Sequence, residues 1–187
     1  MTEFMLHTLE TAGESRPLLE KSAQAYGSVP NLHAVMAESP AMLGAYQAIA
    51  EIFETTNLSD TERQIILMTN NRLNGCEYCM AAHTSIMQMK KVPEDVITAL
   101  RENTPIGDPK LEALRRFAEQ VNLTRGWPEQ ADVDAFLEAG YTKRTILEVI
   151  VGTSLKVLSN YTNHIAQTPL DAAFSKNAWS AEANTVR

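Results

Sequence analysis

Apolar residues recur at three- and four-residue spacings along most of the chain and alternating β-branched runs are missing, so the pattern is helical almost throughout. Residues 17–26 and 40–56 carry amphipathic patterns, the second opening on Ser39 as cap with Pro40 at the first helical position. In "NLSDTE", Ser59 with Glu62 three residues on is a capping-box pattern, and the helix it starts runs to about Leu73. There "NG" interrupts, and Asn74 with Glu77 predicts a second N-cap that starts a helix reaching about Lys90. Pro93 begins a short helix, "NTPIGDPK" is a loop, residues 109–123 form another helix, and "TRGWPEQ" breaks the pattern again. A long helix over 142–167 is dense enough in apolar residues to be expected buried on most of its faces, as the central helix. The prediction is an all-α fold, one domain over residues 1–175. The polar tail 176–187, with its lone Trp179, is expected to fray unless a neighbouring subunit holds it.

Length and charge narrow the function classes. At 187 residues the chain is long enough for one well-buried core. The net charge is −7 and the densest basic spots are the pairs Lys90-Lys91 and Arg115-Arg116, so nucleic acid is not an expected partner. Residues 65–68 and the interrupted run 146–155 fall far short of the ~20 apolar residues of a membrane span. The N-terminus "MTEFMLHTLETAGESRP" lacks the basic and apolar regions of a secretory signal. The expected compartment is the cytoplasm, where a permanent disulfide is unusual and a cycling one is not.

Both cysteines of the chain fall in "LNGCEYCMAAHT", together with one of its four histidines. A redox pair, part of a metal site and a structural disulfide compete as explanations. On a helix, Cys76, Cys79 and His83 lie within about 60° of one another and share one stripe. A Cys76–Cys79 bond closes so short a loop that it is a poor staple and a good reversible switch. Closed zinc needs four ligands, and a fourth would have to come from His164 or a carboxylate, so no metal is expected. If Asn74 is the cap, Cys76 sits in the first turn, where the helix dipole favours a thiolate; Cys79 is one turn deeper with His83 four residues on. Which sulfur attacks is left open by the spacing. His164, with Asn160 four residues before it, makes a polar patch on an apolar helix and is a candidate to border the site.

The run "LSDTERQIILMTNNRLNGCEYCMAAHTSIMQ" resembles the core of the AhpD-like alkylhydroperoxidases of the carboxymuconolactone decarboxylase superfamily, whose motif is a glutamate followed by C-x-x-C-x-x-x-H. The resemblance is specific over about residues 58–100. It extends more loosely to "VPNLHAVMAESPAMLGAYQAIAEIF" and "NYTNHIAQTPLD", flanks like those of the longer, peroxidase-related members. It implies an all-α fold assembled as trimer or hexamer, and a thiol peroxidase without bound cofactor that takes a hydroperoxide and is recycled by a thiol or dithiol reductant. It further implies Cys79 as the peroxidatic thiol, Cys76 as the resolving thiol and His83 in the proton relay. Two positions depart from the pattern: the relay glutamate falls at Gln64, and Tyr78 stands between the cysteines where a histidine is common. An amide cannot take a proton near neutral pH, although it can orient a histidine. Glu62 lies about 200° from position 64 around the helix and is assigned to the Ser59 cap, which leaves Glu38, Glu51 or Glu54 as substitutes and implies a weak peroxidase. The alternative function is a non-catalytic oligomeric module that senses oxidation or binds a partner.

Mild oxidation is expected to join Cys76 to Cys79 within one chain with little effect on global stability. Thermal melts of the oxidised and reduced protein check this, since a loss of tens of degrees on reduction would make the bond a structural one.

Overall fold

The computed structural model describes residues 3–181. Among them are nine α-helices and no strand, which is the all-α fold that the apolar spacing predicts. The helices are α1 (Arg16–Tyr26), α2 (Asn31–Met36), α3 (Pro40–Glu54), α4 (Asp60–Leu73), α5 (Glu77–Met89), α6 (Glu94–Glu102), α7 (Pro109–Leu123), α8 (Gln130–Glu138) and α9 (Lys143–Ala166). Short 3₁₀ turns cover Gly13–Ser15 and Ala172–Asn177. None of the described helices is long and apolar enough to cross a membrane. Ser39 caps α3 by accepting from the Met42 amide, and Ser59 with Glu62 closes the capping box of α4. Sequence periodicity does not reveal α2 and α8: six residues are too few to show a helical period, and α8 is opened by a box between Glu129 and Asp132 rather than by a preferred cap residue.

The "NG" break does something other than cap the cysteine helix. Asn74 ends α4; the Gly75 amide bonds the Arg72 carbonyl and the Cys76 amide bonds the Asn71 carbonyl, both at 2.9 Å, with Gly75 at φ 66°. That is a Schellman stop, which needs a left-handed residue that glycine supplies without strain. The N-cap of α5 is therefore Cys76 itself, not Asn74. The Asn74 side chain is committed elsewhere, donating to Asn160 Oδ1 at 2.8 Å.

The central helix is α4 rather than α9. Every residue of α4 from Arg63 to Asn71 is buried, and it packs against α5, α6, α7 and α9. The longer α9 buries one face and leaves Leu147, Ile150, Val157, Tyr161 and Ile165 at the surface, so the apolar density of its sequence is split between core and exterior. Its inner face comes very close to its neighbours at Gly152, where an added Cβ would lie 2.7 Å from Ile66 Cγ2 and 2.8 Å from Phe53 Cζ. One turn further on comes Lys156. A second apolar cluster, built from Leu19, Leu32, Met36 and Leu43, takes in Cys76, Tyr78 and Cys79, so the dithiol sits where the N-terminal helices meet the main core.

The C-terminal segment is held by its own chain as far as Ala181, against the expectation of fraying. Trp179 is buried, its indole N–H donates to the Arg101 carbonyl at 3.2 Å, and the Ala181 amide donates to Glu77 Oε1 at 3.0 Å. Arg101 in turn donates to Thr84 Oγ1 and the Asn177 carbonyl, tying this strap to α5. The rest of the tail, 182–187, lies outside the described residues.

Gly152→Ala is expected to destabilise the protein by roughly 1–3 kcal/mol, the usual cost of overpacking a filled core. Denaturant unfolding measures it, and an unchanged midpoint would show that α9 shifts outward freely.

Candidate active site

Two segments of chain hold the dithiol, the start of α5 and one face of α9, and α4 adds Gln64 beside His83. Because Cys76 is the N-cap, Cys79 occupies the third position of the first turn, where amide N–H groups lack helical partners and favour an anion. The dipole argument thus shifts from Cys76 to Cys79. Both are free thiols, 1% and 2% exposed. From α9, the Asn163 side-chain amide donates to Cys79 Sγ at 3.2 Å and reaches Cys76 Sγ at 3.6 Å, holding the two sulfurs together. Burial pushes the Cys79 thiol up, but the hydrogen bond from Cys76, the positive charge of Lys156 and hydrogen bonds from Ser159 and Asn160 together bring it down to about 5. Cys76 moves the opposite way, raised because it donates to Cys79 and because it is buried. One thiolate and one thiol is the arrangement these partners favour.

His83 stands between Gln64 and Lys156. Its Nε2 lies 3.0 Å from Lys156 Nζ and its Nδ1 lies 2.9 Å from Gln64 Oε1. Lysine has only protons to give, so Nε2 accepts, the ring proton resides on Nδ1, and Gln64 receives it through its carbonyl. Burial, with the charges of Lys156 and Lys90 added, holds His83 well below its ordinary range, so the ring is neutral. The resemblance places position 64 beside the cysteine helix, and that is where it is found; its side chain orients the imidazole, as an amide can.

Lys156 is the residue that the sequence reading misses. It is 1% exposed in the middle of α9, and with Ser159, Asn160 and Asn163 it forms a polar stripe at i, i+3, i+4 and i+7 facing the cysteines. The legible signal is a lone lysine inside the apolar run "TSLKVLSN". Asparagines fix the stripe in place: Asn160 donates to Asn71 Oδ1 at 3.0 Å, and Asn71 donates to the Cys79 carbonyl at 3.4 Å.

Other candidates lie elsewhere. His164 is exposed, roughly 100° from the centre of the inward face of α9; Asn160 and Asn163 point inward instead. Tyr78 turns away from the thiols to donate to Asp171 Oδ2 at 2.6 Å and to accept from the Leu32 amide at 3.2 Å, bracing α5 against the C-terminal turn and α2. Glu38 pairs with His7, Glu51 with Lys21, and Glu54 with Lys90 and Arg63, all with half-exposed carboxylates, so none replaces the relay glutamate. Glu62 serves Ser59 and the Tyr141 hydroxyl. Tyr46 lies near enough for the charges of Cys79 and Cys76 to add to the effect of its burial, and its phenol is held well above the usual range; burial, the hydrogen bond to Asp171 and the Cys79 charge raise the Tyr78 phenol as well. Among the described residues, no group of three or more His, Cys, Asp and Glu side chains is placed to hold a metal ion.

Residues 39–120, from the cap of α3 into α7 and including the whole dithiol helix, match the Carboxymuconolactone decarboxylase family. Over this stretch, a little under half of its length, the chain is similar to that family. No curated protein matches the sequence significantly. Solved structures of similar fold include the alkylhydroperoxidase AhpD core of an uncharacterized peroxidase-related protein from Ralstonia eutropha JMP134. It is 22% identical, with 93% of this chain and 96% of that one covered and a TM-score of 0.76. An uncharacterized peroxidase-related protein from Silicibacter sp. TM1040 is 21% identical over 92% and 95%, with a TM-score of 0.74. The debrominase Bmp8, in a cysteine-to-alanine variant with 2,3,4-tribromopyrrole, is 17% identical over 95% and 96%, with a TM-score of 0.80. At these identities the likeness is one of fold.

The ultraviolet absorbance of a thiolate is expected to appear as pH rises through about 5 and to be lost in Cys79→Ser. The folded value lies below the ordinary value of 9.0, so the stability gained from this group is complete above about 9 and is lost as pH falls through about 5. A single thiolate step near 9 would overturn the assignment.

Proposed function

We propose that this protein is a dithiol hydroperoxide reductase. The observation that carries the reading is the unequal pair: two free, buried cysteines one turn apart at the start of α5, with Asn163 donating at 3.2 Å to Cys79 and at 3.6 Å to Cys76, an arrangement that favours the thiolate at Cys79. Cys79 attacks the distal oxygen of the hydroperoxide, the O–O bond breaks, an alcohol leaves and a sulfenic acid forms. Cys76 then attacks that sulfur, water leaves, and the Cys76–Cys79 disulfide remains. A thiol or dithiol reductant returns two electrons and closes the cycle. His83, neutral and held by Gln64, is the proton-handling group beside the thiolate. The peroxidase-related structures of like fold support the substrate class, and no cofactor takes part in the cycle. Bmp8 makes a bromopyrrole a second electrophile to try against the same thiolate. The reading includes a homo-oligomer, trimer or hexamer, for which the exposed apolar stripe of α9 offers a surface.

Stopped-flow mixing with hydrogen peroxide and an organic hydroperoxide tests the reading. Thiol loss should far outpace that of free cysteine. Cys79→Ser should abolish peroxide consumption, and Cys76→Ser should leave one oxidation event without turnover. Thiol loss no faster than free cysteine would favour a redox-sensing or binding module instead.

A further inference from the structure

A lysine sealed inside a protein is rare because its charge is costly to desolvate unless an anion or several hydrogen bonds compensate it. Lys156 is 1% exposed, and no ion pair among the described residues includes it. Its hydrogen-bond partner is the neutral His83 ring, which accepts at 3.0 Å. The positive charge of Lys156 acts on the sulfur of Cys79, which Asn163 holds from the same face of α9. Titratable groups around this sulfur on the neighbouring elements are Cys76, Tyr78 and His83 of α5, Tyr46 of α3 and Lys156 itself. None is a carboxylate. The position where a relay carboxylate would act is Gln64, and it fixes the imidazole on the side opposite Lys156.

Resting on the peroxidase reading, we infer that Lys156 is the proton donor of the site, a cation standing in for the missing carboxylate and working in the opposite sense. A carboxylate relay removes a proton from a thiol. Here the attacking sulfur is already ionised, and the step that needs help is departure of the alkoxide. As the Cys79 thiolate takes the distal O–H oxygen of ROOH, the O–O electron pair leaves with RO, and one proton from Lys156, directly or through His83, makes ROH. Lys156, now an amine, takes the proton of the Cys76 thiol, and the Cys76 thiolate displaces hydroxide from the sulfenic acid. The same proton then passes to that hydroxide to make water. Reduction of the disulfide by an external dithiol supplies two electrons and two protons, which restore the Cys76 thiol and the Lys156 ammonium.

Leaving groups expose a general acid. Hydrogen peroxide releases a strongly basic hydroxide that needs a proton, whereas peracetic acid, close to it in size, releases an acetate that does not. For the wild-type protein the rate ratio of hydrogen peroxide to peracetic acid should exceed that of a small-molecule thiolate by roughly 10²–10⁴-fold, the usual worth of a positioned acid. Lys156→Met, compared at a pH where its thiolate is fully formed, should lose hydrogen peroxide reactivity and keep that toward peracetic acid, and Lys156→Arg should retain part of both. A wild-type ratio equal to that of the small thiolate overturns the inference while leaving the peroxidase reading intact, and it needs no variant to fold. Equal slowing of both oxidants in Lys156→Met also overturns it, because that is the signature of a merely structural lysine. If the wild-type protein reacts with neither oxidant faster than free cysteine, the peroxidase reading itself fails and the inference goes with it.

Discussion

Burying an ammonium beside a sulfur is the constraint around which the rest of this fold is arranged. An unpaired charge in a low-dielectric interior costs several kcal/mol even after relaxation, far more than one hydrogen bond to a neutral ring returns. The positive charge of Lys156 therefore favours the thiolate form of Cys79, and both residues are buried. The surroundings also explain the asymmetry of the cysteines. Cys79 has the first-turn position and the shorter contact with Asn163, so the negative charge settles there, and Cys76 keeps its proton as the donor to it.

Bringing α9 close enough for this pairing requires both a small residue and a fixed register. Gly152 lets α9 approach Phe53 and Ile66 one turn before Lys156, and the Asn74–Asn160–Asn71 hydrogen bonds lock the rotation of the helix against α4 and the loop leading into α5. Amides suit this place because each can donate and accept within a buried network and stays uncharged, adding no third charge beside the pair.

How much of this is legible in the sequence depends on whether the signal is local. The Ser59–Glu62 box, the Ser39 cap and the shared stripe of Cys76, Cys79 and His83 are local spacings, and the resemblance brings Gln64 to His83. The "NG" step is ambiguous because asparagine before glycine suits both the end of one helix and the start of the next. What decides it is the pair of Schellman hydrogen bonds, which only the folded backbone reveals. His164 attracts attention as a titratable residue, yet the phase of α9 turns Asn163 and Lys156 inward, and phase is set by tertiary packing on α4. A lone lysine in an apolar run reads first as a surface residue whose stem covers its neighbours, so its burial is a long-range fact.

The placement of the site also separates the proposed chemistry from folding. The large apolar cluster is built on α4, α6 and α7 with the Phe117–Phe136–Tyr141 stack, and it owes nothing to the dithiol. Cys76 and Cys79 belong instead to the smaller N-terminal cluster, at its contact with the polar stripe of α9. An oxidation cycle there changes one covalent bond inside a single helical turn and leaves the main core untouched. The proposed turnover would then need no repacking of the protein, provided that the lysine opposite is never left without an anion for long. In a Cys76–Cys79 disulfide the thiolate would be gone, and the proposed cycle would leave Lys156 as a neutral amine in that state. On that proposal, proton and electron delivery by a reductant would have to be coupled at this site, because restoring the charge on either partner alone would recreate an unpaired buried ion.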